Sequence, residues 1–172
     1  MDKKNKNFND VLSDAKRLGY AESNPSADLN GDDVSSKLKI LSSLCFNSFL
    51  NDKIYVEGIK NIDKTDIDNA NQLGYKIKLL GFAELINKEI YQRVHPTLIK
   101  KDSYVASIDG VLNAVIIDGQ PVGQSIIQGE GAGPAATTSA LVSDISSILR
   151  GNIKFPFSLS SKKRKKLKFQ NI

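Results

Sequence analysis

Apolar residues at Phe8, Val11, Leu12, Ala15 and Leu18 recur at three- and four-residue intervals. This spacing predicts an amphipathic helix, and Gly19 supplies the left-handed residue that ends it. Residues 20–31 are polar and rich in Ser, Asn, Asp, Pro and Gly, so they read as a loop. A second helix is predicted from Asp32 or Asp33 to Phe49, with Val34, Leu38, Leu41 and Cys45 as its apolar stripe. Asp33 falls in its first turn, where a carboxylate suits the positive end of a helix. Residues 54–59 read as a short strand. Thr65 followed by Asp68 resembles a capping box with Asp in place of Glu, opening a short helix that ends at Gly74.

Beyond Gly74 the apolar pattern shortens to that of strands. Residues 75–85 and 89–99 flank a turn at Asn87 and Lys88 and read as a hairpin. Residues 111–117 and 122–128 flank Asp118-Gly119-Gln120-Pro121, a second hairpin. Glycines at 129, 131 and 133 follow, then a closing helix over 137–150 with Ala140, Leu141, Ile145, Ile148 and Leu149 apolar. Helices first, then a mostly antiparallel sheet, then a helix define an α+β fold rather than a doubly wound one. The expected architecture has helices packed on one face of a mixed, mostly antiparallel sheet, with strand 54–59 pairing in parallel with a later strand through the 65–74 helix. If strands such as residues 111–117 (VLNAVII) are apolar on both faces, the far side needs a cover too, and a second subunit is the natural candidate.

Composition adds limits. The 172 residues are 40% hydrophobic and 25% charged, ordinary for a globular domain with one core and a tail. No apolar run reaches the ~20 residues that span a bilayer. The charged start MDKKNKNFND is not a secretory signal, so the cytoplasm is expected. The single cysteine, Cys45, excludes an internal disulfide and is expected to be a small buried hydrophobe between Leu44 and Phe46. The net charge of +5 is concentrated at the ends, in Lys3, Lys4, Lys6, Lys162, Lys163, Arg164, Lys165, Lys166 and Lys168. Without those nine, the 24 basic residues fall to 15 against 19 acidic ones, and the body is mildly acidic. The basic tail is either a solvated terminus or a patch for nucleic acid, but no aromatic ladder or RNA-binding signature supports the second reading.

Candidate chemistry centres on residues 19–37. Asp33 and Lys37 are four apart and share a helix face, and Glu22 and Asp28 lie in the preceding loop. Carboxylates gathered around one lysine suit an amino acid: they can take its ammonium while the lysine donates a proton or holds an oxyanion. The competing reading is an ordinary surface ion pair. The glycine run at 129–133 could bring backbone N–H groups to a phosphate, but Pro134 stands where a dinucleotide fingerprint needs its third glycine. His95 is a lone strand histidine and reads as structural, and no zinc-ligand set is present.

Taken in order, Leu18-Gly19-Tyr20-Ala21-Glu22, Asp28-Leu29-Asn30-Gly31-Asp32-Asp33-Val34 with Lys37, Tyr55-Val56-Glu57-Gly58-Ile59, Leu73-Gly74-Tyr75-Lys76-Ile77-Lys78-Leu79-Leu80, Arg93-Val94-His95-Pro96-Thr97 and Gly131-Ala132-Gly133 resemble the homoserine dehydrogenase family over residues 8–150. The resemblance implies the catalytic domain of a two-domain dehydrogenase. That enzyme interconverts L-aspartate 4-semialdehyde and L-homoserine with NAD(P)H, on the branch to threonine and methionine. It implies Lys37 as the proton-transfer residue, Glu22, Asp28 and Asp33 as substrate-binding, and Gly19, Glu22 and Gly133 as approaching the cofactor. It also implies a homodimer formed through the sheet and no metal ligated by these residues.

The family's N-terminal nucleotide-binding domain is not found in these residues, so NAD(P)H is expected to be held mainly by a domain supplied in cis or in trans. Residues 1–7 are expected to be an N-terminal remnant and 151–172 a basic tail or linker. The alternative function is a non-catalytic remnant that dimerises or binds nucleic acid through that tail.

Overall fold

The computed structural model describes residues 8–19, 24–48, 50 and 53–152, with Asn9 described by its backbone alone. The expected N-terminal remnant, 1–7, and all of the expected tail 151–172 beyond residue 152 lie outside the described residues. Among the described residues eleven elements follow in order: α1 (Phe8–Arg17), α2 (Ser26–Asn30), α3 (Asp32–Cys45), β1 (Tyr55–Val56), α4 (Lys64–Gln72), β2 (Tyr75–Ile86), β3 (Glu89–Lys100), α5 (Tyr104–Ser107), β4 (Leu112–Gly119), β5 (Gly123–Glu130) and α6 (Pro134–Leu149). Helices with a partly parallel, partly antiparallel set of strands give the mixed α+β layout expected from the sequence. The strands are divided between a three-stranded sheet in the order β1-β3-β2 and a separate β4-β5 hairpin.

The described residues fall into two compact units, one of residues 8–19, 64–76 and 98–152, the other of residues 24–48, 50, 53–63 and 77–97. In the second unit β1 pairs in parallel with β3, Tyr55 opposite Arg93 and Val56 opposite Val94. The β2–β3 hairpin turns at Asn87 (φ 50°) and Lys88 (φ 69°), two left-handed residues that suit the twist of a two-residue loop. Val94 is completely buried and Ile90 nearly so, which places alternate residues of β3 in the core. Helix α3 lies on this face: an added Cβ at Gly81 of β2 would stand 3.2 Å from Val34 and 3.4 Å from Leu38. On the odd-numbered face the Arg93 guanidinium sits 5.3 Å above the Phe82 ring and 5.5 Å from that of Tyr91. His95 stacks on Phe82 at 5.4 Å and donates from Nδ1 to the Pro96 carbonyl at 2.9 Å.

The other unit holds α1, α4, α5, the β4–β5 hairpin and α6. β4 and β5 run antiparallel from Leu112 opposite Glu130 to Gly119 opposite Gly123. Lys76 is fixed between the Ala106 carbonyl at 2.9 Å and the Asp109 carboxylate at 3.3 Å, a partly buried tie across this unit.

Several sequence expectations need correction. Residues 26–30 are helical, because the Asn24 side chain accepts from the Ser26 backbone N–H (3.2 Å) and hydroxyl (2.6 Å) and organises a turn in a stretch read as loop. Helix α3 stops at Cys45 instead of Phe49, and Cys45 is exposed rather than buried. The buried stripe passes instead through Ser35, Leu38, Ser42 and Ser43. The hydroxyls of Ser42 and Ser43 donate to the Leu38 and Lys39 carbonyls at 2.6 Å, so these small residues enter the core with their polar atoms satisfied. Strand β1 is only two residues long. Thr65 lies inside α4, which begins at Lys64. Strand β5 runs through Gly129 and Glu130, and α6 begins at Pro134, where proline's fixed φ and missing N–H suit the first turn. The short helix α5, capped by Ser103 accepting from Ala106 N–H, was not foreseen.

Candidate functional site

The sequence places Gly31 between two helical segments, and the structure uses its left-handed φ of 84° to end α2 and start α3. The Gly31 carbonyl accepts the Ser35 N–H at 2.9 Å, the opening hydrogen bond of α3. Asp32 and Asp33 occupy the first turn, where negative charge favours the helix end. One turn on, the Lys37 ammonium meets the Asp33 carboxylate at 2.8 Å. Their side chains are 51% and 40% exposed, so the pair is open to a ligand as well as to water. Asp28 stands exposed in α2, and among the described residues it makes no ion pair with Lys37. Glu22 lies outside the described residues. Of the expected group, then, Asp33 and Lys37 are brought together.

The elbow between α2 and α3 is seated on the end of β1. Ile59 N–H donates to the Leu29 carbonyl at 2.9 Å, and Glu57 N–H donates to the Val94 carbonyl at 2.8 Å. Tyr55 donates its hydroxyl proton to the Glu57 carboxylate at 2.9 Å. That hydrogen bond, with the carboxylate's charge and slight burial, holds the Tyr55 phenol above its ordinary value of 10.0. Glu57 offered no chemistry on its sequence context, and only the two-residue spacing from Tyr55 along a strand hinted that the pair shares a face.

The two glycines matched to the cofactor side belong to the other unit. Gly19 follows α1 with φ 74°, and Gly133 caps α6 with φ 110°; an added Cβ at either would meet nothing within 4 Å. Gly131 instead lies under the Asn113 side chain, which occupies the space a Cβ would need. Among the described residues no group of three or more His, Cys, Asp or Glu is placed to hold a metal ion. Among the described residues no helix is long and apolar enough to cross a membrane.

Comparison with known proteins completes the assignment. A family model for homoserine dehydrogenase matches residues 1–146. The homoserine dehydrogenase of Neisseria gonorrhoeae is 45% identical over 151 residues, which are 87% of this chain and 35% of that protein. The crystal structure of the Thiobacillus denitrificans enzyme superposes with a TM-score of 0.87 at 38% identity, covering 97% of this chain and 41% of that one. A hyperthermophilic archaeal homoserine dehydrogenase mutant in complex with NADPH matches with a TM-score of 0.63 at 26% identity, over 86% of this chain and 41% of that one. Fold and similarity place the chain among proteins that carry a mixed-sheet α+β domain. More particularly, it belongs to the homoserine dehydrogenase family. It spans about a third of the length of the curated relatives it matches.

Proposed function

We propose that residues 8–150 form the substrate-binding half of a homoserine dehydrogenase that interconverts L-aspartate 4-semialdehyde and L-homoserine. The observation that carries this reading is the half-exposed Asp33–Lys37 pair at 2.8 Å on the first turns of α3. In the proposed site, Asp33 shares its charge between Lys37 and the substrate ammonium, with Glu22 and Asp28 as further acids around that group. Lys37, as an ammonium, donates a proton to the aldehyde oxygen as negative charge develops there, and in the reverse direction its amine takes the proton from the alcohol.

Gly19 and Gly133 suit a flat ring because both have open space where a side chain would project, so backbone atoms can approach it closely. When bound, NAD(P)H supplies the reducing equivalents for the carbonyl carbon. These residues contain no strand-glycine-helix dinucleotide motif, so we assign most of the nucleotide contacts to a domain outside the 172 residues. The exposed Ile116 and Ile126, directly opposite each other on one face of the β4–β5 hairpin, support a homodimer that covers them. The cytoplasm is the proposed compartment.

The test is homoserine oxidation by this chain supplied with a family nucleotide-binding domain. Lys37→Ala is expected to lower kcat by about 10²–10⁴-fold, the usual worth of a positioned general acid. Near-parent turnover in that variant would overturn the assignment.

A further inference from the structure

Gly58 follows β1 at the point where the α2–α3 elbow comes closest to another segment. A Cβ there would run into the Leu29 carbonyl oxygen and lie 2.6 Å from Asn30 Cα and 2.7 Å from the Asn30 carbonyl carbon. All three are backbone atoms, so no rotamer change relieves the clash. Gly58 is not among the positive-φ glycines, so its backbone conformation is open to any residue. The glycine is needed for space.

We propose that Gly58 is a positioning residue for the Asp33–Lys37 pair, its missing side chain letting the elbow seat on β1. This inference rests on the assignment of that pair to the substrate site. β1 is itself anchored to the core strand, with Glu57 N–H on the Val94 carbonyl at 2.8 Å, and it holds the elbow through Ile59 N–H on the Leu29 carbonyl at 2.9 Å. Gly31 closes the other side, where a Cβ would stand 3.0 Å from Val56 Cγ1. Asp33 is two residues past Gly31, and Lys37 one helical turn further, so a rigid α3 carries any movement of the elbow to both. Restoring ordinary contact distances of ~3.5 Å around an added methyl displaces the elbow by roughly 1 Å. A shift of that size at a reacting group costs on the order of 10²-fold in rate.

The experiment compares Gly58→Ala with Gly81→Ala in the 172-residue chain. The Gly81 methyl crowds the same helix, at Val34 and Leu38, but it meets side-chain rather than backbone atoms and at longer distances. Nitrogen-proton NMR of the parent and both variants reads the amides of residues 29–33 and the Lys37 side-chain ammonium. Gly58→Ala is expected to move these resonances and Gly81→Ala to leave the Lys37 signal in place. An unmoved Lys37 signal in Gly58→Ala, or an equal shift in Gly81→Ala, overturns the proposal.

In the assay with a nucleotide-binding domain, Gly58→Ala is expected to lose about 10²-fold in kcat/KM while Gly81→Ala stays within about threefold. A parent without homoserine oxidation defeats the substrate-site reading, while the NMR comparison still decides the seat. Should Gly58→Ala fail to fold, Val56→Ala takes its place: it removes the β1 side chain whose Cγ1 stands 3.0 Å from the Cβ position of Gly31 under the elbow. It is expected to move the amides of residues 29–33 and the Lys37 signal, and unmoved signals overturn the proposal.

Discussion

Replacing Asp33 by Asn separates the two readings of the Asp33–Lys37 pair. At 2.8 Å, the bare attraction of unit charges is about 1.5 kcal/mol at the dielectric of water. With side chains 40% and 51% exposed, solvent screening and lost side-chain freedom reduce this to the ~0.3–0.5 kcal/mol typical of i,i+4 pairs. Loss of a first-turn carboxylate from the helix end adds roughly 0.3–1 kcal/mol. Asp33→Asn is therefore expected to lower stability by about 1 kcal/mol, a melting shift of roughly 2–4 °C for a chain of this size.

If Asp33 also holds the substrate ammonium, a charge-assisted hydrogen bond worth about 1.5–3 kcal/mol is lost on binding. That is a fall of roughly 10- to 150-fold in kcat/KM, expressed mainly as a raised KM because ground state and transition state both use the contact. The assay is homoserine oxidation followed by NAD(P)H absorbance, with thermal unfolding of the same preparations. A kcat/KM within about threefold of the parent, alongside the small melting shift, would refute the reasoning and leave a surface ion pair.

Two further outcomes are expected. Val94→Ala removes two carbons from a fully buried side chain, and transfer plus cavity terms give a loss of about 2–3 kcal/mol, read as a lowered urea midpoint with unchanged slope; a loss under ~0.5 kcal/mol would contradict the closed packing of the elbow on β3. Glu57→Gln removes the acceptor charge that raises the Tyr55 phenol, so its titration, followed by ultraviolet difference absorbance against Tyr55→Phe, is expected to move down toward 10.0. Because the folded-state value is raised, the stabilising contribution is present below the unfolded value and disappears as pH rises through the folded one, so the parent should lose stability in strong alkali relative to Glu57→Gln.

Much of this architecture was readable because its signals are local or strictly periodic. Asn87 and Lys88 mark a hairpin by residue type, and the structure gives both positive φ. The parallel pairing of β1 with a later strand was readable from the crossover helix, although which strand it joins, β3, was not. The Asp33–Lys37 contact followed from helical geometry alone. The misreadings share a different cause. The α3 stripe was drawn through hydrophobic residues, whereas burial follows shape and hydrogen-bond satisfaction, which admitted Ser42 and Ser43 and left Cys45 outside. The role of Gly58 depends on a backbone approach from Leu29 and Asn30, and no local pattern in the chain records an encounter between segments so far apart.

The brevity of β1 has a kinetic consequence. Tyr55 and Val56 reach their partners Arg93 and Val94 only after the intervening hairpin has brought β3 into place, so this contact closes a long loop late in folding. With just two residues of ladder it is also inexpensive to undo. In native-state amide exchange the Glu57 and Ile59 protons should therefore report openings well below the global unfolding energy, making the platform beneath α3 the part of its unit that breathes most readily.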